Sequence, residues 1–141
     1  MNGMRNRREQ IKYKIDRNNL KNACPFCPNK NLNRVIEEHG ELSVIENIHP
    51  YSLWEMRSVN KHFLVIPNRH IKSFSNYSKQ EMSDFAHIIT KYESVGFNIY
   101  TRSLSSQSKS VKHHHTHLIK LNSKTKKYLV YIRRPLLRFV R

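Results

Sequence analysis

The sequence contains no acidic residue after Glu93, while eleven basic residues follow between Arg102 and Arg141. Over all 141 residues, 26 Lys and Arg outnumber 10 Asp and Glu, which gives a formal net charge of +16. Such a field attracts polyanions, namely nucleic acid, anionic lipid or phosphorylated small molecules. A solvated basic surface without a specific partner is the alternative, and composition does not separate the two.

Long hydrophobic runs are also missing. No segment approaches the roughly 20 consecutive apolar residues of a membrane span, so we expect no transmembrane helix. The N-terminus is basic and no apolar segment follows it, which predicts that there is no signal peptide and that the protein is cytoplasmic. The length suits one domain with a core of its own.

Cysteine occurs only twice, at Cys24 and Cys27. This Cys-x-x-Cys spacing can place two thiolates on one tetrahedral metal ion, which then needs two more ligands. A redox pair and two small buried hydrophobic side chains are the alternatives. A thioredoxin-like redox site would have a strand before the cysteines and a helix after them, and Pro28 with the polar residues that follow it argues against this alternative.

Histidine is concentrated in one run, where four of the nine lie within five consecutive positions from 113 to 117. In an extended strand, His113, His115 and His117 would point to one side, and His114 and Thr116 to the other. Three imidazoles on one face can hold a nucleophile between two hydrogen-bonding neighbours, or they can bind a metal. A histidine-rich tract without a defined role is the alternative. The less apolar His114 and Thr116 predict a poorly buried opposite face.

The remaining pattern predicts a mixed α and β protein. Apolar alternation and turn residues predict strands at residues 42–47, 62–67, 97–101, through the histidine run to 121, and 128–132. A helix is expected from Ser78 to Tyr92, with Ser78 and Glu81 as a capping box. Met82, Phe85, Ile89 and Tyr92 would form its apolar stripe, and His87 would be exposed.

Three segments together resemble the histidine triad family. The run from His113 to His117 is similar to the His-x-His-x-His signature of that family. Residues 62–70 repeat a second feature, a histidine followed by an apolar run, a proline and another histidine. The Cys-x-x-Cys pair stands near the start, as it does in zinc-binding members. The resemblance covers residues 24–121 and implies an α+β, HIT-like fold with an antiparallel sheet of about five strands flanked by helices.

The resemblance implies a site as well as a fold. A structural zinc ion would be held by Cys24, Cys27, His70 and His113, the residues at the ligand positions of zinc-binding members. His115 would be the nucleophile that attacks a nucleotide at its α-phosphorus. The other catalytic residues implied are His113, His117 and Ser110.

Substrate contacts are implied at four more positions. Asn47 falls where the family contacts the ribose, although a turn-capping role before Pro50 is equally open. His62 takes the place of a fourth histidine near the triad. Arg102 and Lys109 flank a loop at residues 103–109 that lacks the usual glycines, and their charge would hold a more anionic substrate.

The chain organisation and function that we predict follow from these features. A basic arm (residues 1–23) precedes a HIT-like domain (24–121) and a basic C-terminal strand and tail (122–141). The function implied is a hydrolase that releases a nucleoside monophosphate through a nucleotidyl-histidine intermediate, with AMP as the leading candidate. The alternatives are a nucleic-acid-binding module with structural zinc and an idle triad, and an enzyme that removes adenylate from nucleic-acid ends. A homodimer and nucleic-acid binding through the basic tail are further expectations.

Overall fold

A computed structural model describes residues 4–19, 24–27, 32–125, 129–133 and 136–140. In chain order the elements are helix α1 (Arg7–Asn19), strands β1 (Val35–His39), β2 (Leu42–Glu46), β3 (Leu53–Trp54) and β4 (Arg57–Pro67), helix α2 (Lys79–Ser94), and strands β5 (Phe97–Thr101), β6 (Thr116–Thr125), β7 (Leu129–Arg133) and β8 (Leu136–Val140). Single 3₁₀ turns precede β1 and α2. Within the described residues, no helix combines the length and the apolarity that a membrane crossing needs.

The main sheet is antiparallel and has the order β1-β2-β4-β6-β5, with the short β3 added to β4. The predicted α+β fold is therefore confirmed, with six strands in place of about five. Strand β6 lies between β4 and β5, so that His117 pairs with Leu64 on one side and Tyr100 on the other. The histidine that ends the triad thus occupies the middle of the sheet.

The two faces of the sheet bury different clusters. Helix α2 covers one face, where Leu42, Val44, Val65 and Leu118 form the main core. The other face holds a smaller cluster that includes Phe26, Ile45, Leu64 and Ile66. The apolar run of β4 alternates between these two clusters, which explains why it is apolar without a break. The candidate site lies on the side of the smaller cluster.

Helix α2 begins with the predicted capping box. Ser78 Oγ accepts from the Glu81 backbone N–H at 3.1 Å, and Glu81 Oε2 accepts from the Ser78 N–H at 2.6 Å. The predicted apolar stripe is partly wrong, because Met82 is 43% exposed and Ile88 is buried instead. The stripe is rotated because Glu81 also faces inward, where Arg69 binds its carboxylate. His87 is exposed, as predicted.

The two ends of the described chain are more regular than the sequence suggests. Residues 7–19 of the predicted basic arm form α1, although none of them is buried. Residues 136–140, which we predict as part of a tail, form β8 and pair with β7 in a separate two-stranded sheet. Tyr128, the predicted start of the last strand, lies outside the described residues, as do residues 1–3 and 20–23.

Candidate active site

The histidine run enters the sheet later than its pattern predicts. Strand β6 begins only at Thr116, so the assignment of residues 113–115 to a strand is wrong. The cause is Pro67, where β4 ends: the His113 Nε2–H donates to the Pro67 carbonyl at 3.0 Å. The His114 N–H then donates to the Ile71 carbonyl at 2.7 Å. The chain therefore binds the segment after β4 before it joins the ladder.

The predicted alternation of side chains nevertheless holds. His113 and His115 both pack against Phe26, and the His115 and His117 rings lie 5.1 Å apart. His114 points to the opposite side, where its Nδ1 lies 3.0 Å from the Tyr77 hydroxyl. The prediction that this opposite side is poorly buried is wrong, since His114 is 2% exposed and Thr116 is 0% exposed.

The two ring nitrogens of His115 differ, because within the described residues one is hydrogen-bonded and the other is not. Its Nδ1 lies 2.8 Å from the His113 carbonyl oxygen, and a carbonyl can only accept, so Nδ1 carries the proton. The lone pair of the neutral ring is then on Nε2, for which no hydrogen bond is found among the described residues. A buried imidazole with a fixed tautomer and a free lone pair is suited to act as a nucleophile.

A relay of hydrogen bonds fixes the opposite tautomer on His117. The Tyr51 N–H donates to His62 Nδ1 at 3.0 Å, so the proton of that ring is on Nε2. His62 Nε2 lies 2.8 Å from His117 Nδ1 and donates to it. The proton of His117 must then be on Nε2, which is buried and has no partner in the described part of the chain. His117 therefore presents an unused donor on a ring whose centre lies 5.1 Å from that of His115.

Burial keeps these imidazoles neutral. It lowers the pKa of His115 to about 4 and that of His62 to about 3, and it holds the pKa of His117 well below its usual value. The positive charge of Arg102 lowers the pKa of both His115 and His117 further, although burial is the larger cause. All three rings are therefore uncharged near pH 7, and the lone pair of His115 Nε2 is the one that no hydrogen bond among the described residues uses.

Arg102 is the cation that is built most firmly into the site. It is buried, its Nη2 donates to the Tyr51 hydroxyl at 2.9 Å, and its Nη1 donates to Ser108. Lys109 is half-buried and its ammonium donates to the Lys72 carbonyl at 2.9 Å. The charge of Lys109 also lowers the pKa of His115, after burial. The loop that lacks glycine thus brings two cations toward the triad.

Asn47 and Ser110 flank the same region with smaller contacts. Asn47 Oδ1 accepts from the His49 N–H at 2.9 Å, which is the turn-capping contact that we considered for it. Its amide Nδ2 also lies 3.4 Å from His62 Nδ1, the acceptor nitrogen of that ring, so Asn47 stands at the edge of the relay. Ser110 is half-buried just before the histidine run. Its hydroxyl makes no hydrogen bond that is found within the described residues.

Sequence reasoning pointed to Trp54 as a possible cover of the cleft, but it missed the two tyrosines that complete an aromatic wall and a third cation. Tyr51, Trp54 and Tyr100 stack in sequence, and Tyr51 and Tyr100 also contact the His117 ring. The Arg5 guanidinium lies 4.8 Å from the centre of the Tyr51 ring. No local pattern marks Arg5, because it precedes α1 and reaches this wall only through the fold.

The four predicted metal ligands meet at one point. One donor atom from each of Cys24, Cys27, His70 and His113 lies within 4.8 Å of the other three. Cys24 Sγ is 3.3 Å from His113 Nδ1, and Cys27 Sγ is 3.5 Å from His70 Nδ1. Zinc bonds of the usual length in a tetrahedron place sulfur and nitrogen about 3.6 Å apart. The donor set and these two distances therefore fit a tetrahedral metal ion.

The hydrogen bonds of His113 also suit a metal ligand. Because its Nε2–H donates to the Pro67 carbonyl, the lone pair of the ring is on Nδ1, which faces Cys24. Burial raises the pKa of the Cys24 thiol, so an apposed cation is what would favour its thiolate. The backbone carbonyl of the same His113 holds the tautomer of His115. One residue thus joins the metal-binding group to the candidate nucleophile.

The antiparallel sheet, the helix on one face and the histidine row on the other define an α+β domain of the HIT-like fold. A family model described as HIT domain matches residues 33–124, more than half of the chain. The chain therefore belongs to the HIT domain family, which is a family of nucleotide hydrolases and transferases.

Solved structures show the same fold at low sequence identity. A histidine triad nucleotide-binding protein from Candida albicans is 19% identical, covers 81% of this chain and 86% of its own, and superposes with a TM-score of 0.56. A hypothetical protein from Leishmania major is 20% identical, covers 72% of this chain and 74% of its own, and gives a TM-score of 0.50. A search of curated proteins finds no match.

Proposed function

We propose that this protein is a hydrolase that releases a nucleoside monophosphate from a phosphoramidate, a dinucleoside polyphosphate or a similar adduct. AMP is the leading candidate for that monophosphate. The observation that carries the proposal is the pair of opposite tautomers at the site. His115 offers a free lone pair on Nε2, and the neighbouring His117 offers an unused Nε2–H. A phosphoryl group placed between them would meet a nucleophile and a hydrogen-bond donor together.

The reaction has two steps: the first forms a bond between His115 and phosphorus, and the second breaks it. His115 Nε2 attacks the α-phosphorus, a P–N bond forms, and the bond to the leaving group breaks as the leaving group takes up a proton. Water then attacks the same phosphorus and loses a proton to solvent, which replaces the proton that the leaving group took from solvent in the first step. The P–N bond breaks, and the monophosphate departs while His115 regains its neutral form. A neutral nucleophile is required, because a charged phosphate repels an anion. The lowered pKa of His115, about 4 as a result of burial, supplies that neutral form.

The neighbouring groups stabilise the charge that develops on phosphorus. The His117 Nε2–H donates to a phosphate oxygen, and Arg102 and Lys109 add positive charge around it. We assign the Ser110 hydroxyl to the leaving group, since it lies just ahead of the triad and its hydrogen-bonding capacity is unused within the described residues. Asn47 and His62 line the nucleotide side, where Asn47 is assigned to the ribose. The name of the Candida albicans protein describes nucleotide binding, which agrees with this assignment.

We propose zinc for the group formed by Cys24, Cys27, His70 and His113. Two thiolates and two imidazoles are a donor set that zinc prefers, and with four protein ligands the ion would be structural. It would tie residues 24–27 to the segment after β4 and to the start of the histidine run. His113 is then a ligand whose carbonyl positions His115, and it takes no part in proton transfer.

The test is to trap the intermediate. Adenosine phosphoramidate with a radioactive phosphorus is mixed with the protein, quenched in alkali to preserve phosphohistidine, and the labelled peptide is identified. We expect label on the peptide that contains His115, and none in His115→Asn, whose turnover should fall more than about tenfold because no nucleophile remains. His87→Asn is the matched control, since His87 is an exposed histidine on α2, and it should keep both label and turnover.

Two outcomes would contradict the mechanism. Turnover of His115→Asn within about tenfold of the wild type would remove His115 as the nucleophile. The absence of label and of turnover with phosphoramidates, dinucleoside polyphosphates and adenylated DNA alike would favour the binding module with an idle triad. Turnover of adenylated DNA alone would select the enzyme that removes adenylate from nucleic-acid ends.

A further inference from the structure

Helix α1 carries its two acidic side chains on one side and four of its five basic side chains outside that side. Its two acidic residues, Glu9 and Asp16, face the body of the protein. Glu9 Oε2 accepts from Ser52 Oγ at 2.7 Å, and Asp16 Oδ2 lies 3.6 Å from His49 Nε2. Tyr13 lies between them and packs edge-on against the same His49. The acidic charge of the helix is therefore engaged inside the fold.

The opposite side of α1 carries cations and two isoleucines. At 3.6 residues per turn, one arc contains eight exposed residues, among them Asn18 and Asn19. We call the other six the basic face of α1: Arg7, Arg8, Ile11, Lys12, Lys14 and Ile15. No acidic partner is found for its four cations among the residues that the structure describes. The isoleucines are 50% and 55% exposed, so no described element covers this face.

The length of the basic face suits a chain of regularly spaced phosphates. The nine residues from Arg7 to Ile15 at 1.5 Å each extend about 13 Å, which is the axial length of about four phosphates in one strand of B-DNA. Four cations for which no ion pair is found among the described residues can release counterions from such a chain, and this release is the main source of sequence-independent affinity. The basic face offers no aromatic side chain for base stacking, so phosphate contacts would dominate.

An anionic membrane would meet the same charges but fits the face less well. Helices that lie in a membrane surface combine a polar face with a broad apolar face, in which Trp, Phe or Leu are immersed. Here the apolar part consists of Ile11 and Ile15 alone, and cations stand on both sides of them. The only aromatic residue of the helix, Tyr13, is turned toward the protein.

We propose that the basic face of α1 is a docking surface for the phosphate backbone of nucleic acid, bound without sequence preference. This inference does not depend on the proposed hydrolase activity. The N-terminal end of α1 lies next to the candidate active site, because the Met4 carbonyl accepts from the Ser52 N–H at 2.8 Å and Arg5 covers the Tyr51 ring.

The experiment measures binding of the full chain to a fluorescent single strand of about 20 nucleotides, between about 50 and 200 mM salt. The test variant carries Arg7→Gln, Arg8→Gln and Lys12→Gln. The matched control carries Lys72→Gln, Lys79→Gln and Lys112→Gln, three exposed lysines outside α1. Both variants have three fewer positive charges, and circular dichroism checks that both keep the helix content of the wild type.

We expect the α1 variant to bind at least about tenfold more weakly at low salt. The slope of log affinity against log salt should flatten by about 0.7 for each phosphate that the variant no longer neutralises, while the control keeps most of the slope. An α1 variant with the wild-type slope, or equal weakening in both variants, would overturn the proposal. Vesicles of phosphatidylcholine and phosphatidylserine form a second arm. Binding to them that is stronger than to the oligonucleotide, and abolished in Ile11→Ala with Ile15→Ala, would assign the face to membranes instead.

Discussion

At the scale of single residues, the site depends on which ring nitrogen of each histidine carries the proton. Backbone groups fix the tautomers. The His113 carbonyl accepts a hydrogen bond from His115 Nδ1, and the Tyr51 N–H donates to His62, which in turn donates to His117. Each partner can only accept or only donate, so the tautomers are not interchangeable. As a result, His115 Nε2 has a lone pair and His117 Nε2 has a proton. The two side chains are chemically identical, so only their different hydrogen-bond partners produce this difference.

The buried pair of His62 and His117 predicts acid sensitivity of the fold. Burial, with smaller contributions from the charge of Arg5 and from His115, lowers the pKa of His62 to about 3. Between the unfolded pKa of about 6.5 and this folded value, the unfolded chain binds more protons than the native protein does. The free energy of unfolding should therefore fall as the pH falls below about 6.5, by up to about 1.4 kcal/mol per pH unit for each such histidine.

Urea unfolding of the wild type and two variants between pH 7 and pH 5 measures this effect. His62→Asn should reduce the dependence on pH, because one buried titrating group is gone. His87→Asn removes an exposed histidine and should leave the dependence unchanged. Equal pH dependence in all three proteins would show that the His62 ring is not held neutral by burial.

At the scale of elements, helix α2 and the β1–β2 turn fit each other at one glycine. Gly40 has φ +54°, in the left-handed region that favours glycine, and the Asp84 carboxylate of α2 covers it. A Cβ at this position would overlap with the carboxylate, since it would lie only 2.6 Å from Asp84 Cγ. The Glu41 N–H donates to Asp84 Oδ2 at 3.3 Å, so Asp84 closes the turn against the helix.

Gly40→Ala should therefore be clearly destabilising. The strain of a left-handed alanine costs about 1 kcal/mol, and displacing the buried Asp84 from its partners adds about 1–3 kcal/mol. Gly96→Ala is the matched control, because Gly96 has φ +84° but nothing lies within 4 Å of its added Cβ. Denaturant unfolding should show a larger decrease in stability for Gly40→Ala. Equal decreases would mean that the packing against Asp84 contributes nothing.

At the scale of the whole molecule, positive charge reaches the surface because many acidic groups are used internally. Half of the ten acidic side chains contact partners within the fold: Glu9, Asp16, Glu37, Glu81 and Asp84. The formal excess of +16 is therefore less offset at the surface than an even distribution of acids would make it. This segregation is what makes the basic face of α1 a continuous patch.

The metal-binding group also acts on the whole molecule, since it joins residues that are 89 positions apart in the chain. We expect about one zinc per chain in protein purified without chelator, from the donor set and its geometry. Removal of zinc should lower the free energy of unfolding by at least about 3 kcal/mol, the value for free zinc at 100 times its Kd.

Metal analysis and thermal unfolding, with and without chelator, test this prediction. Cys24→Ser combined with Cys27→Ser is the reference, since it removes two of the four ligands. It should contain no zinc, and its unfolding should not respond to chelator. Protein without zinc, or zinc that survives in the double variant, would refute the assignment.

The sequence by itself determined the fold class and the local elements. Alternation and capping signals depend on neighbours within a few positions, so β2, the apolar run of β4, the capping box of α2 and β5 were predicted close to their observed bounds. The motifs also identified Cys24, Cys27, His70 and His113, which the structure brings together. Spacing alone indicated only Cys24 and Cys27, whereas the resemblance to zinc-binding histidine triad proteins implied His70 and His113.

Only the tertiary structure decided how the histidines are held and what surrounds them. Pro67 ended the ladder and moved the start of β6 to Thr116, which the alternation of the run could not show. The tautomers, the burial of His114 and the approach of Arg5 to Tyr51 all depend on partners far away in the chain. The sequence periodicity of α1 likewise did not show which side of the helix faces the protein. The contacts of Glu9 with Ser52 and of Asp16 with His49 show it. Such contacts are properties of packing between distant segments, and local sequence patterns do not encode them.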